Sequence, residues 1–118
     1  MENEHAVAIL LNGPQLKGHS QIVPKRHVME IDELNPEEVY AFSQLLQKAR
    51  RRIDQIFDCS SIAMMNGPKQ KTQPHLHCQI IPFPKEQGLR ELIAKKFNVP
   101  EYVCPSEEEL TKLANKLK

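Results

Sequence analysis

Asn35-Pro36-Glu37-Glu38-Val39-Tyr40-Ala41-Phe42 opens the segment whose reading decides the fold. Asn35 carries a side-chain oxygen suited to the orphan amides of a helix start. Pro36 takes the first helical position, where no amide is needed, and Glu38 stands three residues after Asn35, where its carboxylate can bond back. From there Val39, Phe42, Leu46, Ala49, Ile53 and Phe57 recur at spacings of three and four. That spacing predicts a helix over 36–57, about six turns at ~3.6 residues per turn, with one apolar stripe. Arg50-Arg51-Arg52 lies toward its C-terminal end, where positive charge complements the helix dipole, and a solvated face explains the run better than a nucleic-acid patch.

Outward from this helix the chain reads as strands. On the N-terminal side, the apolar run 6–11 ends at Asn12-Gly13-Pro14, and Gly18 opens a second strand, 19–23, whose hydrogen-bond ladder Pro24 stops. Residues 27–31 read as a further extended segment. On the C-terminal side, strand 61–65 is closed by the turn signal Asn66-Gly67-Pro68, and a polar loop leads to an alternating run, 75–81, bounded by Pro74 and Pro82. Leu89, Leu92, Ile93 and Phe97 suggest a short helix. Ser106 and Glu109 make a capping box for a final one with Leu110, Leu113, Ala114 and Leu117 on one face. Strands interrupted by one long helix predict an α+β fold with a mainly antiparallel sheet of about five strands, not a doubly wound parallel one. The 118 residues suit a single domain, 1–118, with 83–118 as a C-terminal extension.

Composition narrows the function classes. Hydrophobic residues make up 40% of the chain and charged residues 26%, and the formal net charge is +1, so there is no general attraction to nucleic acid or anionic membrane. No apolar run approaches the ~20 residues that span a bilayer. The opening Met1-Glu2-Asn3-Glu4-His5 lacks the basic and apolar regions of a signal peptide, and a cytoplasmic location is expected. Cys59, Cys78 and Cys104 are odd in number and far apart, which predicts reduced thiols rather than a disulfide framework or a paired metal clip. With Trp absent and aromatics at 5%, a platform for stacking single-stranded nucleic acid is not expected either.

Chemistry concentrates in 66–79. Strand alternation puts His75, His77 and Gln79 on one face and Leu76, Cys78 and Ile80 on the other, the core-facing one. Two imidazoles and a carboxamide therefore stand in a row, directly after a loop carrying Asn66, Lys69, Lys71 and Thr72. Three readings compete: a solvent-facing polar strand, a metal site, and phosphoryl or nucleotidyl chemistry with a histidine nucleophile. A His-x-His pair can clip zinc but needs another ligand, and Cys78 points to the wrong face, which leaves distant His19. The phosphoryl reading alone uses the whole constellation, because it needs a nucleophile together with donors for an anion.

The run His75-Leu76-His77-Cys78-Gln79-Ile80-Ile81-Pro82 resembles the signature of the histidine triad (HIT) superfamily, His-φ-His-φ-His-φ-φ with φ apolar, Gln79 standing at the third histidine. Upstream, Gly18-His19-Ser20-Gln21-Ile22-Val23-Pro24-Lys25-Arg26-His27 resembles the family's other marker, a Gly-His pair followed by a strand and Pro-Lys-x-His. The glutamine form is similar to the branch containing galactose-1-phosphate uridylyltransferase and dinucleoside tetraphosphate phosphorylases. The resemblance implies that His77 is the nucleophile taking a nucleoside monophosphoryl group and that Gln79 hydrogen-bonds phosphate oxygen. It implies that His75 orients the site, its carbonyl fixing the His77 tautomer. It further implies substrate contacts at His19, Asn66 and Thr72, a nucleotide substrate, and a homodimer, while Lys71 in the same loop is a candidate cation for the phosphoryl oxygens. Leu11 stands where an acidic residue commonly holds the ribose hydroxyls, with Asn12 as a neighbouring substitute, and the segment that carries zinc-binding cysteines in many members has no counterpart before the first strand. No metal and no cofactor are expected. The alternatives are a non-catalytic nucleotide-binding module and a metal-binding protein using His19, His75 and His77.

Overall fold

A computed structural model describes residues 1–11, 17–64, 75–82 and 106–118. Strands β1 (Ala6–Leu10), β2 (Ser20–Pro24), β3 (Ser60–Met64) and β4 (Cys78–Pro82) form one sheet in the order β1-β2-β4-β3, every neighbouring pair antiparallel. Helix α1 (Pro36–Phe57) links β2 to β3 and touches all four strands, and α2 (Glu107–Lys116) lies near the C-terminus. The α+β architecture is therefore as expected. The expected turn at 12–14, the loop 66–74 and the helix on Leu89, Leu92, Ile93 and Phe97 lie outside the described residues.

Both capping boxes form. Asn35 Oδ1 accepts from the Glu38 amide at 2.9 Å and Glu38 Oε1 accepts from the Asn35 amide at 3.1 Å, while Ser106 and Glu109 repeat the exchange at the start of α2. The buried stripe of α1 differs from the expected one at two positions, Glu38 taking the place of Val39 and Leu45 that of Leu46. It runs through Glu38, Phe42, Leu45 and Ala49, with Leu46 and Ile53 packed beside it, and Val39 is exposed. Glu38 occupies the inner position because Arg26 meets it there: Nε lies 3.0 Å from Oε2, Nη2 lies 2.8 Å from Oε1, and Nη2 also donates to the Glu33 carbonyl at 2.6 Å. The leucine face of α2, Leu110, Leu113 and Leu117, is exposed.

Two expected strands change. Among the described residues the sheet has four strands rather than five, because 27–31 does not pair: the Glu33 carboxylate accepts from both the Met29 and Glu30 amides at 2.7 Å and turns the chain into a 3-10 turn, Ile31–Glu33. The run 75–81 enters the sheet only at Cys78. Continuing the β2–β4 register would set Leu76 opposite Pro24, which has no amide to offer, and the Leu76 amide donates instead to the Val28 carbonyl at 2.8 Å.

The core lies between α1 and one face of the sheet, built from Ala6, Ile22, Phe42, Leu45, Ala49, Cys78 and Ile80. At the helix end, Phe57 covers Gly18, which has φ +86; a Cβ there would stand 2.7 Å from Phe57 Cζ. Only glycine combines that backbone with that approach. No helix of the described residues is long and apolar enough to cross a membrane.

The Arg26–Glu38 pair makes a pH prediction. Hydrogen bonds from the Arg26 guanidinium, then from the Asn35 amide, hold the Glu38 carboxyl down from its ordinary 4.5 to about 2. A carboxyl depressed on folding adds stability above its unfolded value and loses it as pH falls through its folded one. Denaturation midpoints should thus fall between about pH 5 and about pH 2 more steeply in the wild type than in Glu38→Gln, which keeps the capping box but not the charge. Superimposable pH profiles would remove the pair from the account.

Candidate functional site

Leu76, Cys78 and Ile80 are fully buried, and this fixes the face on which their neighbours stand. His77, 6% exposed, and Gln79, half-buried, lie on the side of the chain away from α1, as the alternation predicts. Register does the rest. Gln21 pairs with Gln79 and Ser20 with Ile80, so His19, just before β2, stands diagonally across from Gln79 on the same face. The two side chains meet there, His19 Nε2 lying 2.8 Å from Gln79 Oε1.

His77 is held by the chain just before β4. Its Nδ1 lies 3.1 Å from the His75 carbonyl, and since a carbonyl only accepts, Nδ1 carries the proton and Nε2 keeps the lone pair of the neutral ring. His75 is fixed in turn: its Nε2 donates to the Pro24 carbonyl at 3.1 Å, and the His27 ring meets it edge-on, centroids 4.9 Å apart at 85°. Segment 24–28 therefore grips 75–76 at three points: the Pro24 carbonyl, the His27 ring and the Val28 carbonyl. The sequence places His27 in a motif and in an extended segment but assigns it no role, and neither the Pro24 nor the Val28 carbonyl is signalled there. The adjacent signal was Pro24, whose missing amide ends the ladder and frees the chain to fold back.

Of the site residues expected from the sequence, His19, His75, His77 and Gln79 are brought together. Asn12, Asn66, Lys71 and Thr72 lie outside the described residues. Lys25 and Arg26 turn elsewhere, to Glu2 at 2.7 Å and to Glu38. Cys78, though beside His77 in sequence, faces the core, and burial pushes its thiol up to about 11, so it supplies no thiolate near neutral pH. Among the described residues no three His, Cys, Asp or Glu side chains converge on a metal position, and the His75 ring that a three-histidine site would need is turned toward the Pro24 carbonyl. The face thus offers one imidazole lone pair on Nε2 beside a hydrogen-bonded carboxamide, an arrangement suited to attack on an electrophile bearing anionic oxygens.

Comparison with known proteins identifies the family. An uncharacterised HIT-like protein of Methanocaldococcus jannaschii is 34% identical over 83 residues, 69% of this chain and 64% of that protein. An asymmetrical bis(5'-nucleosyl)-tetraphosphatase of Schizosaccharomyces pombe is 32% identical over 72 residues, 58% of this chain and 40% of the enzyme. The chain thus spans less than two thirds of the length of either relative. In structure, a HIT family protein of Bacillus subtilis superimposes with a TM-score of 0.78 over 99% of this chain and 82% of its own, at 23% identity, a likeness of fold. The family model for the HIT domain matches residues 1–86, which contain both motifs and all four strands, and the chain belongs to the HIT family.

Proposed function

We propose that the chain is a nucleotide hydrolase or nucleotidyltransferase acting on the α-phosphate of a nucleotidyl donor, such as a dinucleoside polyphosphate, through a nucleotidyl-histidine at His77. The observation that carries this reading is the bond from His77 Nδ1 to the His75 carbonyl, which leaves Nε2 as the nucleophile. Family membership and the named activity of the fission-yeast relative support the substrate class. The glutamine at position 79 supports the branch of galactose-1-phosphate uridylyltransferase and the tetraphosphate phosphorylases.

In the first step Nε2 forms a P–N bond in line as the P–O bond to the leaving group breaks, and that group departs with the electron pair as an anion. In the second step water forms the new P–O bond, the P–N bond breaks, its electrons return to Nε2, and the water proton passes to solvent. Phosphate or a sugar phosphate in place of water would make the reaction a phosphorolysis or a transfer; hydrolysis is the simplest version because it needs no site for a second substrate. Gln79 donates to a non-bridging oxygen, with Asn66, Thr72 and Lys71 as further donors from the loop and Asn12 near the ribose. His19 and His75 complete the surroundings. The reading places the protein in the cytoplasm as a homodimer, and sedimentation that finds only monomer at micromolar concentration would contradict the dimer.

Incubation with a labelled dinucleoside polyphosphate, quenched and assayed for acid-labile label on protein, tests the intermediate. His77→Ala should abolish labelling and turnover, a loss beyond the ~10²–10⁴-fold of a missing general acid or base, while nucleotide binding persists. Label retained in His77→Ala but lost in His75→Ala would move the nucleophile. Binding without label in the wild type would favour the non-catalytic module.

Gln79 should also select the leaving group. A histidine there could donate a proton to a departing amine, whereas a carboxamide only hydrogen-bonds. Leaving groups stable as anions should be good substrates and the amine of an adenosine phosphoramidate a poor one. The comparison is kcat/KM for a dinucleoside polyphosphate against the phosphoramidate, in wild type and Gln79→His. A wild type that prefers the phosphoramidate, with no shift toward it in the variant, would sink the idea.

A further inference from the structure

A carboxamide offers an oxygen at one end and two N–H groups at the other, and rotation by half a turn exchanges them. If Gln79 is to serve an anion, something must settle which end faces it. The Oε1 atom lies 2.8 Å from His19 Nε2, and because a carboxamide oxygen only accepts, the shared proton is the histidine's. That holds for the Nε2–H tautomer and for the imidazolium alike. His19 is well placed to impose an orientation: it is 4% exposed, its carbonyl accepts from the Leu11 amide at 2.9 Å, and the preceding Gly18 is locked at φ +86 under the Phe57 ring. Ser20 Oγ donates back to the Gly18 carbonyl at 2.9 Å and stiffens the same turn.

We infer that His19 is a positioning residue that acts through Gln79: it engages the only acceptor of the carboxamide, so that the face beside His77 meets the two Nε2–H donors. The site then takes unprotonated phosphate oxygens and rejects groups that arrive as donors. This inference rests on the proposed function for its substrate and refines the role of His19, which resemblance alone made a substrate contact. The register that sets Gln21 opposite Gln79 is what brings the two residues within reach.

Two measurements test it, the first independent of any activity. Long-range ¹H–¹⁵N correlation spectra at a pH where the ring is neutral should show His19 protonated on Nε2. Gln79→Leu should shift that signal and the tautomer balance, whereas Gln79→Glu, which keeps an acceptor oxygen, should retain the Nε2–H form. A His19 protonated on Nδ1, or a ring insensitive to Gln79→Leu, overturns the inference. The second measurement is a double-mutant cycle on AMP affinity and on kcat with a dinucleoside polyphosphate. His19→Ala should weaken AMP binding about tenfold, the worth of roughly one hydrogen bond. In the Gln79→Ala background the same change should cost less than about twofold. His19→Gln, whose amide can donate in place of the ring, should recover part of the loss. Multiplying effects would make His19 an independent ligand or a fold element and overturn the inference. AMP binding that follows the cycle in a protein showing no turnover would overturn the proposed catalysis but support the role of His19.

Discussion

The period of a strand leaves no freedom at the site once three side chains are buried. Leu76, Cys78 and Ile80 are wholly withdrawn from solvent, so a slip of one residue would bring His77 and Gln79 into an apolar core and turn the core residues out. The cost would be several buried aliphatic contacts at once, together with an unpaired imidazole and carboxamide in the interior. Every other feature of the site hangs on that register: the pairing of Gln21 with Gln79, the diagonal approach of His19, and the bond from His77 Nδ1 to the His75 carbonyl.

The second constraint is where β4 begins. Pro24 ends the ladder with β2, and the chain before Cys78 is held by the Pro24 and Val28 carbonyls and the edge of His27 instead. Segment 24–28 is itself tied to α1, because Arg26 within it reaches Glu38 in the first turn and the Glu33 carbonyl. The helix cap and the site are thus joined by hydrogen bonds connected through short stretches of chain. Asn35 holds Glu38, Glu38 holds Arg26, and two residues before Arg26 the Pro24 carbonyl holds the His75 ring, whose own carbonyl sets His77. Each link has a structural role, which explains how a loop with little apolar content keeps a fixed geometry.

Local signals were legible in the sequence and distant ones were not. The bounds of α1 could be read from Asn35, Pro36 and Glu38 because capping depends on residues three apart, and the faces of residues 75–79 could be read because strands alternate. Val39 was misplaced in the stripe because an acidic residue next to it found a guanidinium twelve positions upstream, which no periodicity reports. Residues 27–31 looked extended because their composition suits a strand; the Glu33 carboxylate, competing for the Met29 and Glu30 amides, decided otherwise. At the site, the shared face of His77 and Gln79 followed from alternation, whereas the bond from His19 to Gln79 needed a register between residues sixty apart.

Cysteine is intrinsically the stronger nucleophile, yet the chain places Cys78 between His77 and Gln79 and makes no use of it there. The sulfur packs in a fully buried position with no charge to stabilise a thiolate, and its thiol stays protonated well above neutral pH. The imidazole one residue away needs no such activation. Nucleophilic nitrogen is present in the neutral ring, and a backbone carbonyl is enough to direct the lone pair to Nε2. Strand alternation therefore separates the two side chains, turning the sulfur to the core face and the imidazole to the other. On the proposed mechanism, the use of histidine rather than cysteine follows from the same alternation that holds the sheet to its helix.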